Sequence, residues 1–409
     1  MSSTITTLED IFTRRDNRIM NFWKNIDRPI IGLSPMDGVT DACFRFIAAK
    51  HGRPDVIFTE FVNVEAALYA PHTLIRDLTY SEIERPVVAQ IYGHTPEMFY
   101  KVAQIVCALG FDGLDINMGC PAKNVAAKGS GAALILTPEL AGEIIRSAAL
   151  GIRDWCEGRT LDELKLHLEL IRRIEISNRL RTGLDAPPAR RLIPLSVKTR
   201  LGYDGVVIEE WIQTLLREKP AIISLHGRTL KQMYKGSADW EAIARAAERA
   251  KNSGTLILGN GDLQNMRDVY RRVRETGVDG VLFGRGAQGD PWMFKAKDRV
   301  KAALRTNDAS RIHDVAIGVE ERFSVMLEHS RLFEERRGIP AFVGMRKHLS
   351  WYCRGIRGAA ELRDRLVRVN NVGEVIECLN NYTVSVSPLP DLIDFPLHEH
   401  ESRSLLSLP

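Results

Sequence analysis

Eight short apolar runs recur along the first three-quarters of this 409-residue chain, and they limit its fold more than any other feature. They cover residues 30–34, 56–59, 87–91, 113–117, 195–199, 222–226, 256–259 and 280–284. Each is β-branched or Leu-rich with little polar alternation, the pattern of strands buried on both faces. Helix-like segments fall between them, at 40–50, 97–109, 139–150, 239–251 and 265–276. Thr40 is a candidate N-cap, and Thr95-Pro96 and Thr137-Pro138 each combine a cap with a proline at the first helical position. Eight β/α units in succession predict an α/β fold, a (β/α)8 TIM barrel over residues 30–305, preceded by an N-terminal segment at 1–29.

The spacing breaks once. The fourth helix is expected to end near Gly151, yet the fifth run begins only at Leu195, so 153–191 reads as an insertion. Within it Thr160-Leu161-Asp162-Glu163 has the form of a capping box, and Leu161, Leu164, Leu168 and Ile171 form an apolar stripe at helical spacing. That stripe predicts a helix packed on the barrel flank. Beyond Lys301 strand signals stop. Helix-like stretches at 313–335, 341–353, 359–369 and 372–382 predict a small C-terminal helical bundle over 310–384. The tail, 385–409, is expected to be flexible.

No stretch approaches the roughly 20 apolar residues of a membrane span, and the polar start lacks a signal-peptide core. The six cysteines are scattered without a C-x-x-C pair, which argues against a disulfide framework and a zinc site and fits a reducing cytoplasm. No metal is expected, and a monomer is. Net charge is only +4, but residues 331–368 carry ten Lys/Arg against four Asp/Glu. A basic surface there suits a polyanion, and a solvated helix face is the alternative.

Barrel catalytic groups lie at the C-terminal ends of the strands. Reading those ends in order gives Pro35, Met36 and Asp37, then Gln90, Asn117 with Cys120, Lys198 with Arg200, His226 with Arg228, Asn260-Gly261-Asp262, and Gly284-Arg285. Nearly every end carries a group able to reach a ligand. The glycines after the seventh and eighth runs can expose backbone N–H groups to a phosphate, and Arg285 can add a charge-assisted bond. Lys198 only donates, whereas Gln90 both donates and accepts, as a flavin edge requires. No G-x-G-x-x-G follows a strand, so a mononucleotide such as FMN fits better than a dinucleotide.

Within the fourth unit, Asp115-Ile116-Asn117-Met118-Gly119-Cys120-Pro121 takes a strand straight into a Gly-Cys-Pro turn. That turn can present a reactive thiol, although a lone turn cysteine is more often simply buried.

These stretches resemble the dihydrouridine synthase family, flavin enzymes that reduce uridine in tRNA. The resemblance is carried by Ser34-Pro35-Met36-Asp37-Gly38-Val39-Thr40-Asp41, by the Asn-Met-Gly-Cys-Pro run with Lys128-Gly129-Ser130-Gly131-Ala132, by Val197-Lys198-Thr199-Arg200 and by His226-Gly227-Arg228-Thr229. Gly259-Asn260-Gly261-Asp262 and Gly284-Arg285-Gly286-Ala287 extend it, and Met345-Arg346-Lys347-His348-Leu349-Ser350-Trp351-Tyr352 is similar to the helical domain of the bacterial B-type branch. The resemblance implies reduction of FMN by NADPH and reduction of a tRNA uridine, with Cys120 as proton donor. It implies that Pro35, Met36, Asp37, Gln90, Lys198, His226, Asn260, Gly261, Asp262, Gly284 and Arg285 hold FMN, with Asn117 arranging flavin and base. Arg200 and Arg228 would contact RNA or its target base, and Arg346, Lys347, Arg354 and Arg357 would grip RNA from the helical domain. A flavin barrel acting on a small molecule such as a free pyrimidine, and a non-catalytic RNA-binding protein, are the alternatives.

Overall fold

The computed structural model describes residues 21–386. Eight strands form it: β1 (Ile30–Leu33), β2 (Ile57–Asn63), β3 (Val87–Tyr92), β4 (Gly113–Met118), β5 (Leu195–Arg200), β6 (Ile222–His226), β7 (Leu256–Asn260) and β8 (Gly280–Phe283). Each pairs in parallel with the next, and β8 returns to β1 through Ile30↔Gly280 to Leu33↔Phe283. The (β/α)8 barrel is therefore closed, and no strand edge is left unpaired.

The strands are apolar throughout because one face meets the barrel interior and the other meets helices. At the N-terminal end the interior is filled by Ile30, Val56, Phe58, Val88, Ile222, Leu258 and Leu282, and Trp23 plugs it from below. A Cβ on Gly32 would lie 2.5 Å from Val56 Cγ1, so β1 approaches β2 through a position only glycine fills.

Several local expectations change. Thr40 is not the cap of the first helix (Ala42–His51). Its hydroxyl accepts from Met36 N at 2.9 Å and closes the β1 turn, and the capping passes to Asp41, whose Oδ1 accepts from Phe44 N at 2.9 Å. Pro96 and Pro138 do start their helices, but neither Thr95 nor Thr137 caps with its side chain. Glu65 Oε1 instead accepts from His94 N and Thr95 N.

The fourth helix runs Pro138–Glu157, well past the expected end, and stops at the left-handed Gly158. Only part of the expected 153–191 insertion is new fold. Glu163 accepts from the Thr160 N–H and hydroxyl, but this supports only a single 3-10 turn, Asp162–Leu164. The chain breaks before the helix Leu168–Thr182, so the predicted stripe is not one face: Leu161 and Leu164 are buried while Leu168 is 65% exposed. The buried face of that helix is Leu170, Ile174, Asn178 and Arg181.

The C-terminal region is helical as expected, with helices Val319–Arg337, Arg346–Tyr352, Ala359–Leu366 and Val372–Val386. Their core, around Phe323, Phe342, Leu349 and Val375, continues into Cys43, Phe46 and Ile47 of the first barrel helix and Trp292 beyond β8. The helices thus sit on the β8–β1 side of the barrel mouth. Lys347 Nζ donates to the Gly38 carbonyl in the β1 turn, and Arg322 Nη1 donates to the Gly289 carbonyl beyond β8 at 3.3 Å. The expected tail falls almost wholly outside the described residues. No helix among the described residues is long and apolar enough to cross a membrane.

Candidate active site

A cavity of about 600 Å³ opens at the C-terminal ends of the strands. Its walls include Pro35, Met36 and Asp37 after β1, Gln90 of β3, Asn117 and Cys120 at β4, and Lys198 and Arg200 of β5. His226 and Arg228 follow at β6, then Asn260, Gly261 and Asp262 at β7 and Gly284 and Arg285 at β8. The strand-end residues singled out in the sequence are thus brought to one place. The reason is register: Asn117 pairs with Lys198, and Arg200 with His226, so inward-pointing positions fall in shared layers.

The floor is a polar network. Gln90 Nε2 donates to Asp115 Oδ2 at 2.6 Å, and Ser196 Oγ donates to Asp115 Oδ1 at 2.6 Å. Asn117 Nδ2 donates to Gln90 Oε1 at 3.1 Å. Asn117 Oδ1 in turn accepts from both Gly119 N and Cys120 N at 2.9 Å. This Asx-type turn, with Pro121 after it, presents Cys120 at the cavity wall while leaving it only 7% exposed.

Charge in the site is set by burial. Burial raises the Cys120 thiol above its ordinary value, with Asp37 adding to the rise while Arg200 and Lys198 oppose it, so the sulfur carries its proton at neutral pH. Burial pushes the Asp115 carboxyl up to about 6, held back by its bonds from Ser196 and Gln90 and by Lys198. Lys198 is lowered to about 8 by burial and by Arg200. His226, buried and ringed by Lys198, Arg200, Arg228 and Arg285, is lowered to about 2 and is neutral. Arg228 Nη1 lies 3.4 Å from His226 Nε2, which must accept because the guanidinium only donates, so the ring proton sits on Nδ1.

Arg228 and Arg200 are part of the walls. Arg228 is 1% exposed; its Nη2 donates to both Asp262 oxygens at 2.9 and 2.7 Å and to the Gly236 carbonyl at 2.6 Å. Arg200 Nε donates to the Gly119 carbonyl at 2.7 Å and Nη1 to the Thr229 carbonyl at 3.0 Å, tying the Cys120 turn to the β6 loop. In the helical region Arg354 and Arg357 are exposed. Arg346 spends its donors on the Val369 and Arg368 carbonyls and Asn370 Oδ1, and Lys347 reaches the β1 turn instead of the cavity.

Several lining residues escaped the sequence reading. Phe61 enters through a register shift between Phe58 and Phe61 in β2. Met233 and Tyr234 lie in the long β6 loop, with Arg285 stacked 5.4 Å from the Tyr234 ring centroid. Asp115 supports the floor; an acid inside an otherwise apolar strand was the signal for it, since buried carboxylates are rare unless partnered.

Comparison with known proteins places this geometry. The family model described as Dihydrouridine synthase (Dus) matches residues 32–150 and 183–387, most of the chain. The chain belongs to the dihydrouridine synthase family. The unmatched stretch between the two segments, 151–182, overlaps the predicted insertion and contains the extra helix Leu168–Thr182. A probable tRNA-dihydrouridine synthase of Staphylococcus aureus (strain COL) is 33% identical over 371 residues, covering 88% of this chain and 95% of its own length. The probable tRNA-dihydrouridine synthase 2 of Bacillus subtilis (strain 168) is 33% identical over 367 residues, covering 88% and 96%. Among solved structures, ligand-free DHODH from Eimeria tenella aligns with a TM-score of 0.44 at 13% identity, over 70% of this chain and 86% of that one.

The cavity suits the flavin cofactor of this family of oxidoreductases. Gly261 has φ +129°, and a Cβ there would stand 2.7 Å from Ala238 Cβ and 3.3 Å from His226 Cδ2. Gly261 and Gly284 line the cavity beside Arg285, and without side chains there their backbone stays accessible to a phosphate. Among the described residues Lys198 Nζ has no hydrogen-bond partner within the protein, leaving its donors to a ligand.

Proposed function

We propose that this chain reduces uridine in tRNA to 5,6-dihydrouridine, using FMN and NADPH, with Cys120 as the proton donor. The observation that carries the reading is the placement of a protonated thiol on an Asn117-anchored turn, in the wall of a cavity that also gathers Lys198, Arg200, Arg228 and Arg285. When FMN is bound, the chemistry available here is two-electron hydride reduction of C6 of the base, with NADPH as the source of the hydride.

The chain's own residues do the rest. Arg285 and the backbone at Gly261 and Gly284 would hold the phosphate. Lys198 and Gln90 would bond to the ring, and Pro35, Met36, Asp37, His226, Asn260 and Asp262 would complete the cradle. His226 stays neutral, so it orients by hydrogen bonding without adding charge. Asn117 arranges the reacting groups, and Cys120 Sγ delivers its proton to C5 of the base as the hydride arrives at C6, which balances the addition.

The target uridine must leave its stack to enter the mouth, at a cost of a few kcal/mol. Arg354, Arg357 and neighbouring basic groups grip the RNA backbone, while Arg346 and Lys347 hold the helical domain and the β1 turn in register with it. Arg200 and Arg228 shape the wall that receives the base.

The test is dihydrouridine content, measured by mass spectrometry of RNA from a strain lacking the gene and complemented with wild type or Cys120→Ala. Wild type should restore the modification. Cys120→Ala should purify with its flavin, reduce it with NADPH, and restore little or none. Full restoration by Cys120→Ala would refute the acid role, and no restoration by wild type would refute the reaction.

A further inference from the structure

We infer that Asp115 is a positioning residue of this site: its acceptor-only carboxylate sets the direction of the hydrogen-bond chain through Gln90 and Asn117, and so holds the turn that carries Cys120. Its consequence for catalysis rests on the reading of Cys120 given above; the geometric claim does not.

The argument is one of donors and acceptors. An amide can present either end to a neighbour, so Gln90 and Asn117 each have two orientations of similar shape. A carboxylate has only one role. Ionised at neutral pH, Asp115 must accept, and Gln90 must turn Nε2 toward it, at 2.6 Å. That leaves Gln90 Oε1 to accept from Asn117 Nδ2 at 3.1 Å. Asn117 Oδ1 is then the end that meets the Gly119 and Cys120 N–H groups. Were Gln90 reversed, two NH2 groups would face each other, and turning Asn117 to relieve that would set its NH2 against two backbone N–H groups.

Asp115 is 0% exposed and Asn117 6% exposed, so water offers the chain little help in choosing its direction. The other carboxylate oxygen is occupied by Ser196 Oγ at 2.6 Å, which keeps the group from rotating. Three cross-strand neighbours, Gln90 of β3, Asp115 of β4 and Ser196 of β5, are in register, so the chain is built by the barrel and not by a flexible loop.

The experiment reads the thiol directly. Cys120 alkylation by iodoacetamide is followed by peptide mass spectrometry, with and without flavin and in the absence of tRNA. Asp115→Leu removes the acceptor of both Gln90 and Ser196 and should speed alkylation about tenfold, the opening expected when one bond of the chain leading to Cys120, that from Gln90, is lost. Gln90→Glu sets two carboxylates together and should also speed it. Adding Asp115→Asn to Gln90→Glu should return the rate to near wild type, because the carboxylate now at position 90 accepts both from the amide introduced at position 115 and from Asn117.

The buried Cys107 and Cys156 serve as internal controls for unfolding. If Asp115→Leu exposes them, the near-isosteric Gln90→Glu and Asp115→Asn/Gln90→Glu pair decides alone. A wild-type Cys120 rate in a folded Asp115→Leu, or failure of the double change to restore Gln90→Glu, would overturn the inference. Dihydrouridine formation is assayed in parallel and should show a lowered kcat with tRNA KM unchanged, since Asp115 touches no surface RNA can reach. Absence of dihydrouridine with wild type would remove the catalytic reading while the alkylation contrast stood; the opposite pattern would remove Asp115 and leave the reaction.

Discussion

Replacing Arg228 by Met should destabilise the barrel before any RNA is present. The residue sits 1% exposed, and five donor contacts bind it to Asp262, Gly236, Lys235 and His226. Removing one member of a buried pair costs about 3–5 kcal/mol, because the remaining charge is left without its partner. Asp262 is partly solvated and keeps Arg285 at 3.3 Å and the Ala238 N–H at 2.7 Å, so the lower end applies, about 3 kcal/mol. At about 2.1 cal/mol/K per residue, the described length unfolds with an entropy on the order of 0.8 kcal/mol/K, and the melting temperature should fall by about 4 °C.

The loss should depend on pH. Burial works against ionisation of Asp262, but the Ala238 N–H and the Arg228 guanidinium outweigh it and hold the carboxyl below its ordinary value. A depressed folded pKa gives stability that is present above the unfolded value, about 3.9, and is lost as pH falls through the folded one. The difference between wild type and Arg228→Met should therefore be full at pH 7 and shrink below about pH 4. Thermal unfolding by circular dichroism across pH, without RNA, is the assay. A melting temperature unchanged at pH 7, with the defect confined to RNA binding, would show that the guanidinium is free for RNA and refute the clamp.

Three further outcomes are expected. Because burial raises the Cys120 thiol, loss of the proton needed for C5 should slow turnover only above the ordinary thiol range, outside the limits set by Asp115 at about 6 and Lys198 at about 8; iodoacetamide alkylation of Cys120 that rises with pH through the ordinary thiol range instead would contradict that environment. Reversing Arg354 and Arg357 to Glu should weaken tRNA binding and flatten its salt dependence with flavin content unchanged, whereas Arg346→Ala should mainly lower helical stability, read by titration at several salt concentrations and by thermal melts. Gly261→Ala forces a side chain onto φ +129° and to 2.7 Å from Ala238 Cβ, so flavin should be lost on purification at a strain of about 1–3 kcal/mol, visible as a colourless protein.

The eight apolar runs and the polar residues closing them were legible because a buried parallel strand must be apolar along its length, and its last residue is the first that meets solvent or ligand. Gln90, Lys198, His226 and Arg285 announced themselves in that way. Asn117 and Cys120 were legible as a turn, since Gly and Pro punctuate the backbone locally. Capping was less legible, because a hydroxyl such as that of Thr40 can serve either a helix or the preceding turn, and only the position of Met36 decides which. The stripe through Leu168 misled for a related reason: period alone does not see the break at Lys165, whose left-handed φ of +54° divides the helix from the turn before it.

What needed the folded barrel were relations between residues far apart in the chain. Strand order and register place Asp115 between Gln90 and Ser196, and no local pattern tells an acid on a network from an acid in error. The β2 shift that admits Phe61 and the loop that lays Tyr234 over Arg285 depend on neighbours that only closure supplies. The same holds for Lys347, which a basic run marked as an RNA contact and which the packed helices bring to the Gly38 carbonyl. Local chemistry names the groups; which of them face one another is decided by the geometry of a closed sheet, because hydrogen bonds and charge act across a few ångströms of space and not along the chain.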